Sequence, residues 1–376
     1  MARWHLITGE YPPAFGGVAD YSRVVAAGLA RAGEEVSVWT PEAAGIQPYD
    51  EGVELNRIRS RFGPRALRLI GREIARRPGR LLVQYVPHSL GLKAMNLPFC
   101  LWLLANRRRP VWTMFHEVEI GFRRRQPLRH HALAAVNRAM AAATMRATER
   151  IFIATPQWEK SLRRVDSRKN LEWLPVPSNI AVNNDPAAVC AVRARLAPGD
   201  SVLIGHLASP RDNTMAAALG AAVESAFAER SRARLLILGN GSEDVRQKIV
   251  ASWPAIGART SASGRLTAAD LSSNLSACDL IVQPYPDGIS TRRGSAMAAL
   301  AHRRALLTTE THITEPLWRA ENAVALVPAG AIDALGRALA SLIDDADERG
   351  RLAAAGGDLY ARRFDLAHTI AALLSA

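Results

Sequence analysis

The chain contains 376 residues, 48% of them hydrophobic, and carries a formal net charge of +13. This length and apolar content exclude a disordered chain and predict two domains of about 180 residues each. No apolar run approaches the roughly 20 residues needed to span a bilayer, and the N-terminus reads as a short strand rather than a signal peptide. The three cysteines are too far apart in the sequence to match the spacing of a metal site or a redox motif. They are Cys100, Cys190 and Cys278. We therefore expect a cytoplasmic protein.

The positive charge is concentrated in the N-terminal half. Residues 1–180 contain 28 Lys and Arg against 15 Asp and Glu, whereas residues 181–376 contain 20 of each sign. This excess favours an anionic membrane surface or nucleic acid as partner, although an arginine-rich genome gives the same composition. Aromatic residues make up only 6%, and no tract interleaves them with basic residues as nucleic-acid stacking requires. We therefore expect no nucleic-acid partner, and peripheral association with the inner face of a membrane fits the charge.

The first elements alternate between strand and helix. Residues 4–7 form an apolar strand, residues 9–17 form a Pro- and Gly-rich loop, and the next helix leads to a second strand at residues 35–40. This βαβ unit lacks the G-x-G-x-x-G pattern of dinucleotide-binding sites. The pair Gly16–Gly17 directly before the helix fits a phosphate-binding turn or a plain tight turn equally well.

Arginines mark the next two helices. Residues 57–80 combine apolar positions with nine arginines, which fits an interfacial helix or a surface helix packed on a sheet. A strand at residues 81–86 leads to an apolar helix at residues 97–105, which ends in Arg107, Arg108 and Arg109. This short helix is able to rest on a membrane but not to cross it.

Residues 111–117 form a strand whose carboxyl end presents His116 and Glu117. Ligands bind at the carboxyl ends of strands in open α/β sheets, so His116 is a candidate site residue, with a purely structural histidine as the alternative. A long helix at residues 128–147 follows, then a strand at 151–155 that we expect to be the last of this half. The Pro-rich segment 174–179 predicts the crossing to the second domain.

The second half repeats the pattern. Strands are predicted at residues 201–207, 234–238, 280–282, 305–309 and 324–327, with helices between most of them and closing helices from about residue 332. Two such halves predict an α/β fold with two doubly wound, Rossmann-like domains, each built on a parallel sheet, facing across a ligand-binding cleft. We place the domains at residues 1–178 and 179–360. A C-terminal helix at 361–376 is a candidate to pack back on the first domain.

Residues 283–297 are the most informative stretch. The apolar run before them predicts a buried strand, and a loop with Pro, Asp and Gly leads from it to a helix of small residues. Arg292 and Arg293 fall in what we expect to be the first helical turn, where cations oppose the helix dipole. An anion bound between them explains this placement, and two solvent-facing arginines explain it equally well.

Five segments in this order resemble a GT-B-fold glycosyltransferase of glycosyltransferase family 4, over nearly the whole chain. They are the glycine loop at 12–19, the strand-end histidine at 113–116, the basic segment at 204–211, the glycine turn at 236–241 and the donor motif at 277–298. The resemblance implies retaining transfer from a nucleotide-diphosphate sugar, with no metal or other cofactor. It also implies that the leaving phosphate, rather than an enzyme carboxylate, helps to remove the acceptor's proton.

The resemblance assigns roles to the residues at matching positions. His116 and Asp287 would be catalytic, and Tyr21 and Glu117 would contact the acceptor. The donor-binding residues would be Gly16, Gly17, His206, Arg211, Gly288, Ile289, Ser290, Thr291, Arg292, Arg293 and Ser295. Amides and cationic side chains in this set would stabilise the charge that develops on the leaving diphosphate.

Three features depart from the family's pattern. The family's donor motif has two glutamates separated by seven residues, where this chain has Asp287 and Ser295. Ser295 replaces two charge-assisted hydrogen bonds to the ribose, worth roughly 1.5–3 kcal/mol each, by one neutral bond. His206 and Asp212 stand where the family often has Arg and Lys, and Arg303–Arg304 replace a glycine-proline turn.

The sequence Asp345-Ala346-Asp347 matches the D-x-D pattern by which other glycosyltransferases hold a metal. It lies in an acidic run between two alanine-rich helices near the C-terminus. We interpret it as a solvated helix end and expect no metal site.

These observations predict a glycosyltransferase that acts on an envelope or exopolysaccharide precursor, with a lipid-linked or soluble anionic glycan acceptor bound by the basic half. Three alternatives remain. A nucleotide-sugar epimerase shares the fold but uses several carboxylates and histidines, and the C-terminal site is poor in Glu. A glycosyltransferase-like subunit that has lost activity would account for Ser295. A basic, non-catalytic binding protein would account for the charge.

Overall fold

The computed structural model describes residues 2–118, 127–183, 185–208 and 213–375. The chain divides into two compact units. The first comprises Met1–Asn179 and Leu366–Ala376, and the second comprises Ile180–Asp365. Each unit is built on one parallel sheet.

The sheet of the first unit has seven strands in the order β3-β2-β1-β4-β5-β6-β7, all paired in parallel. These strands are β1 (Arg3–Thr8), β2 (Glu35–Pro41), β3 (Val53–Ile58), β4 (Arg80–Tyr85), β5 (Val111–Phe115), β6 (Arg150–Ile153) and β7 (Leu171–Trp173). The second sheet has six parallel strands in the order β10-β9-β8-β11-β12-β13. They are β8 (Val202–Leu207), β9 (Ala233–Leu238), β10 (Thr260–Ala262), β11 (Leu280–Gln283), β12 (Ala305–Glu310) and β13 (Ala325–Pro328).

Fourteen α-helices lie in the described residues. Those up to the end of the first unit's main segment are α1 (Gly17–Arg31), α2 (Pro64–Arg76), α3 (Leu97–Ala105), α4 (Leu128–Ala147) and α5 (Glu159–Arg163). The rest are α6 (Pro186–Leu196), α7 (Asn213–Phe227), α8 (Ser242–Ser252), α9 (Ala268–Ala277), α10 (Gly294–Ala301), α11 (Leu317–Ala320), α12 (Ile332–Asp344), α13 (Ala346–Arg363) and α14 (Leu366–Leu374).

Both faces of the first sheet are covered by helices. On β4, Leu81 and Val83 join a buried cluster with Ile70 of α2, whereas Leu82 joins a second cluster with Val25 of α1. Neighbouring strand residues point to opposite faces, so a continuous apolar run is what a strand buried on both sides requires. The predicted fold of two doubly wound α/β units is confirmed.

The strand order places one switch point in each sheet. The order reverses between β1 and β4 in the first sheet and between β8 and β11 in the second. Loops at the carboxyl ends of strands near such points form the ligand sites of this class of fold. The loop after β1 contains Gly16, and the loop after β11 contains Asp287, Arg292 and Arg293.

Three strands were not predicted from the sequence: β3, β7 and β10. Each lies at the edge of its sheet, where strands are short or half-exposed and lack a continuous apolar run. The expectation that residues 151–155 hold the last strand of the first half was therefore wrong, because β7 pairs with β6. The helix α6 was also not predicted.

The basic segment at residues 57–80 contains α2, which is packed on the first sheet by Ala66, Leu67, Ile70 and Ile74. Its opposite face is exposed and carries Arg65, Arg68, Leu69, Arg72 and Arg76. Among the helices in the described part of the chain, none combines the length and the hydropathy needed to cross a bilayer.

The last helix, α14, lies in the first unit although the second unit precedes it in the chain. It packs on α1, where a Cβ placed on Gly28 would lie 2.7 Å from Cδ1 of Ile370. A larger residue at position 28 would therefore separate the two helices.

Candidate functional site

The loop from β11 to α10 is closed against the segment that follows β12. The hydroxyl of Thr311 donates to the carbonyl of Asp287 at 2.8 Å. Gly288 adopts a φ of 80°, and a Cβ there would lie 2.6 Å from Oγ1 of Thr314. Only glycine satisfies both the left-handed backbone and the close approach, so this turn has one defined shape.

The carboxylate of Asp287 is the anion that lies between the two arginines. Arg292 donates to its Oδ2 at 2.9 Å, and the guanidinium of Arg293 contacts Oδ1. The sequence interpretation placed both arginines in the first helical turn, which was wrong: α10 begins at Gly294, and Arg293 is its N-cap residue. The arginines therefore precede the helix, and the loop's own aspartate neutralises one of their two positive charges.

Arg293 is held in place by a second contact. Its guanidinium carbon lies 4.6 Å from the centre of the Tyr285 ring, a cation–π geometry. Its Nε is buried and has no hydrogen-bond partner among the described residues. Arg293 is thus a cation held by two contacts, with one buried donor that no described residue uses.

Ile289, Ser290 and Thr291 are buried. The amide and hydroxyl of Thr291 both donate to Oε1 of Glu315, at 3.0 and 2.9 Å, while the indole N–H of Trp318 donates to Oε2 at 2.9 Å. The expectation that the Thr291 amide faces a ligand is corrected by this contact with a buried carboxylate. Glu315 was missed because a single glutamate in the loop after β12 belongs to no motif.

Ser295 lies in the first turn of α10, where its hydroxyl is 2.6 Å from the hydroxyl of Tyr285. Tyr285 is buried, and this burial is the main reason why its pKa is raised to about 12. The phenol therefore remains protonated at neutral pH and is able to donate to Ser295. The position that carries a glutamate in the resembling family is here part of a neutral hydroxyl pair.

The predicted basic segment after β8 is described only in part. His206 is buried, and its Nδ1 lies 2.8 Å from the carbonyl of Val282 on β11. That bond fixes the ring against the neighbouring strand. Arg211 and Asp212 lie outside the described residues.

His116 follows β5 and is buried in the first unit. Its Nε2 donates to Oε1 of Gln84 at 2.8 Å, its ring meets that of Tyr21 edge-on at 4.7 Å, and its carbonyl accepts from the indole of Trp158. Burial lowers the pKa of His116 to about 3. The imidazole is therefore neutral at physiological pH, and Nε2 carries the proton in this arrangement.

The other predicted residues of the first unit lie near the same carboxyl edge of the sheet. Gly16 and Gly17 open α1, and a Cβ on Gly16 would lie 2.5 Å from Oε2 of Glu10. Space around Gly17 is open, with no atom within 4 Å of a Cβ built there. Tyr21 is buried, and burial raises the pKa of its phenol. Glu117 is half-buried beside His116.

The D-x-D sequence lies where two helices meet. Asp345 caps α13 by accepting from the amide of Glu348 at 2.8 Å, and the neighbouring Asp344 is paired with Arg230. Within the residues that the structure describes, no group of three or more His, Cys, Asp or Glu side chains is arranged to hold a metal ion.

Residues 200–345 match the family model for glycosyl transferases group 1. A search of curated protein sequences found no significant match. The structure is similar to sucrose-phosphate synthase from Thermosynechococcus elongatus, with a TM-score of 0.75, 16% identity and coverage of 99% of this chain and 97% of that one. It is also similar to Alr3699/HepE from Anabaena, solved with UDP and glucose (TM-score 0.71, 14% identity, 100% of both chains).

A third similar structure is WaaG, described as a glycosyltransferase involved in lipopolysaccharide biosynthesis (TM-score 0.67, 15% identity, 99% of this chain and 100% of that one). At these identities the likeness establishes the fold. It confirms the predicted GT-B fold and the resemblance to GT-B glycosyltransferases, and the match at residues 200–345 to the glycosyl transferases group 1 model supports a glycosyltransferase.

Proposed function

We propose that the chain is a retaining glycosyltransferase that moves a sugar from a nucleotide-diphosphate sugar to an envelope or exopolysaccharide precursor. One observation carries the proposal: Arg292 and Arg293 converge on Asp287 at the carboxyl end of β11, directly before α10. This cluster lies inside the region that matches the glycosyltransferase model. Guanidinium groups beside a helix N-terminus are well suited to bind the oxygens of a diphosphate.

In the proposed donor complex, the diphosphate replaces the Asp287 carboxylate as the anion beside the arginines. The buried Nε of Arg293, which has no partner among the described residues, supplies a further donor. These charge-assisted bonds stabilise the charge that grows on the leaving diphosphate. Asp287, released from the arginines, would then accept hydrogen bonds from hydroxyls of the transferred sugar.

The proposed reaction joins an acceptor hydroxyl oxygen to the anomeric carbon as the bond from that carbon to the phosphate oxygen breaks. The hydroxyl proton passes to the leaving phosphate. His116 is neutral because burial lowers its pKa, so we assign it a hydrogen-bonding role toward the sugar or the acceptor instead of a role as a charged acid. Tyr21 would fix the orientation of its ring.

The acceptor is proposed to be a lipid-linked or anionic glycan at the inner face of a membrane. The first unit carries the chain's excess positive charge, and α2 exposes Arg65, Arg68 and Arg72 beside the apolar Leu69. A surface of this kind is attracted to anionic lipids. The similar protein WaaG acts in lipopolysaccharide biosynthesis, which supports a related acceptor class here.

A thermal-shift panel of UDP-, GDP- and ADP-sugars tests the proposal. Ligand at a hundredfold excess over its dissociation constant stabilises the folded state by about 2.7 kcal/mol, which moves the unfolding midpoint measurably. We expect one nucleotide class to shift the midpoint. No shift with any of them would contradict the donor assignment.

A second candidate function is a glycosyltransferase-like subunit with weakened or lost activity. The observation that favours it is the Tyr285–Ser295 hydroxyl pair at a position where the family uses a carboxylate. Such a subunit would bind the nucleotide sugar without releasing nucleoside diphosphate when a lipid-linked glycan extract is supplied. Release of nucleoside diphosphate would exclude it.

A further inference from the structure

The first unit contains a basic cavity of about 340 Å³ at the amino end of its sheet. Its charged lining consists of Arg107, Arg108, Arg109, Arg146, Lys169 and Glu149. We propose that this cavity, here named the amino-edge cavity, is a binding site for a phosphate group, separate from the proposed transfer site.

The position of the cavity separates it from the proposed acceptor residues. Pro110, which lines the cavity, directly precedes β5, whereas His116 directly follows that strand. A strand rises about 3.3 Å per residue, so the six steps between them span about 20 Å. A ligand in the amino-edge cavity therefore does not reach His116.

The charges in the cavity are strongly unbalanced. Five cationic groups face one carboxylate, that of Glu149. No ion pair links Arg107, Arg108 or Arg146 to a carboxylate anywhere in the described part of the chain. Like charges that converge on a concave surface repel one another. A bound polyanion removes this repulsion.

The helix ends beside the cavity neutralise only part of its positive charge. Arg146 lies in the last turn of α4, and Arg107 follows the end of α3, so both face the negative ends of helix dipoles. Each helix end is equivalent to about half an elementary negative charge. Two such ends neutralise about one of the four excess positive charges. About three positive charges remain, and a bound anion would neutralise them.

Two of the cations are already oriented by the chain. Lys169 donates to the carbonyl of Thr148 at 2.6 Å, and Arg109 donates to the carbonyl of Ile74 at 3.2 Å. These bonds reduce the conformational freedom that a ligand would otherwise have to remove. Arg108 and Arg146 are exposed, and neither guanidinium makes a hydrogen bond to another described residue. Their donors are therefore available for phosphate oxygens, which a guanidinium binds in a bidentate manner.

The shared chemistry of the ligand is a phosphate carrying at least two negative charges. It comes from one of two sources, a soluble phosphate or diphosphate, or the headgroup of an anionic phospholipid. In the second case the amino-edge cavity would anchor the first unit to a membrane at a point remote from the exposed face of α2.

Titration calorimetry with inorganic pyrophosphate and co-sedimentation with vesicles test the site. The vesicles contain phosphatidylcholine alone or with phosphatidic acid. Because pyrophosphate also fits the proposed donor loop, every protein carries Arg293→Ala, which leaves the cavity intact. The test variant adds Arg108→Ala and Arg146→Ala, and the control adds Arg337→Ala, an exposed arginine of α12 in the second unit. Circular dichroism confirms that each protein is folded.

We expect the cavity variant to bind pyrophosphate or phosphatidic acid vesicles at least tenfold more weakly than its parent. The Arg337→Ala control should lose less than threefold in either arm. Loss in the calorimetric arm identifies a soluble phosphate as ligand, and loss confined to the vesicle arm identifies a lipid headgroup. If the cavity variant equals its parent in both arms, including the case in which neither probe binds, the proposal is wrong.

Discussion

The hydroxyl groups of Tyr285 and Ser295 lie 2.6 Å apart, which links the end of β11 to the first turn of α10. Tyr285 also stacks under the guanidinium of Arg293. Side chains from both ends of the loop are thereby held around Asp287. The neutral hydroxyl pair occupies the position where the resembling family binds the ribose with a carboxylate.

Replacing Ser295 with glutamate restores that carboxylate. If the nucleotide's ribose lies here, Ser295→Glu should tighten nucleotide-sugar binding by about tenfold, because hydrogen bonds to charged groups contribute roughly 1.5–3 kcal/mol. The matched control is Ser295→Gln, which has the same length without the charge and should gain little. Titration calorimetry measures both. Equal affinities for the two variants would place the ribose elsewhere.

Asp287 is predicted to affect binding and transfer in opposite directions. In Asp287→Asn the arginines lose their carboxylate partner, so a nucleoside diphosphate should bind severalfold more tightly. Transfer should fall, because a neutral amide is a weaker acceptor for the sugar hydroxyls. Nucleoside-diphosphate titration and product release measure the two effects. Asp347→Asn, in the exposed acidic run, is the control, and tighter binding without loss of transfer would remove Asp287 from the catalytic set.

Glu315 is predicted to maintain the shape of the loop. Glu315→Gln replaces a carboxylate that accepts three hydrogen bonds by an amide with only one acceptor atom, so we expect a loss of about 1–3 kcal/mol in the free energy of unfolding. Glu321→Gln, which breaks a surface pair with Arg362, should cost less than about 1 kcal/mol. Urea denaturation compares the two. Similar losses would show that Glu315 is no more than an ordinary surface carboxylate.

His116 is predicted to make stability depend on pH. Its pKa falls from 6.5 in the unfolded chain to about 3 in the folded chain, so the unfolded state binds the proton first as the pH drops. The stability that the neutral ring contributes is complete above about pH 6.5 and is lost progressively down to about pH 3. Between pH 7 and pH 5 the loss amounts to about 2 kcal/mol.

The matched variant for this prediction is His116→Gln, which does not titrate. Denaturation of both proteins at pH 7 and pH 5 cancels the contributions of all other groups. The wild-type protein should lose about 2 kcal/mol more than the variant. Equal losses would mean that the ring is accessible to protons in the folded state.

The buried strands could be predicted because a strand that is covered on both faces consists of a continuous run of apolar residues. Residues 280–282 are apolar on both faces, and the structure buries Leu280, Ile281 and Val282 completely. Edge strands lack this signal: β3 mixes polar with apolar residues, with Asn56 and Arg57 adjacent, and is only half-buried. Such a strand forms because a neighbouring strand offers its backbone groups, which no local pattern reveals.

The loop between β11 and α10 was predicted only in part. The apolar run followed by Pro, Asp and Gly was enough to predict a strand, a loop that contains Asp287, and a helix of small residues. The pairing of Asp287 with Arg292 and Arg293 was not predicted, because the helix was expected to begin before the arginines, whereas it begins at Gly294. Glu315 lies 24 residues from Thr291, and its contact depends on how β12 returns beside β11.

We propose that a nucleotide-diphosphate sugar binds against Arg293. Titration calorimetry compares the wild-type protein, Arg293→Ala and the control Asp347→Ala, each with the nucleotide sugar that gives the largest thermal shift. The loss of a charge-assisted contact predicts binding about 10- to 100-fold weaker in Arg293→Ala and unchanged in Asp347→Ala. Equal affinities for all three proteins would contradict the claim.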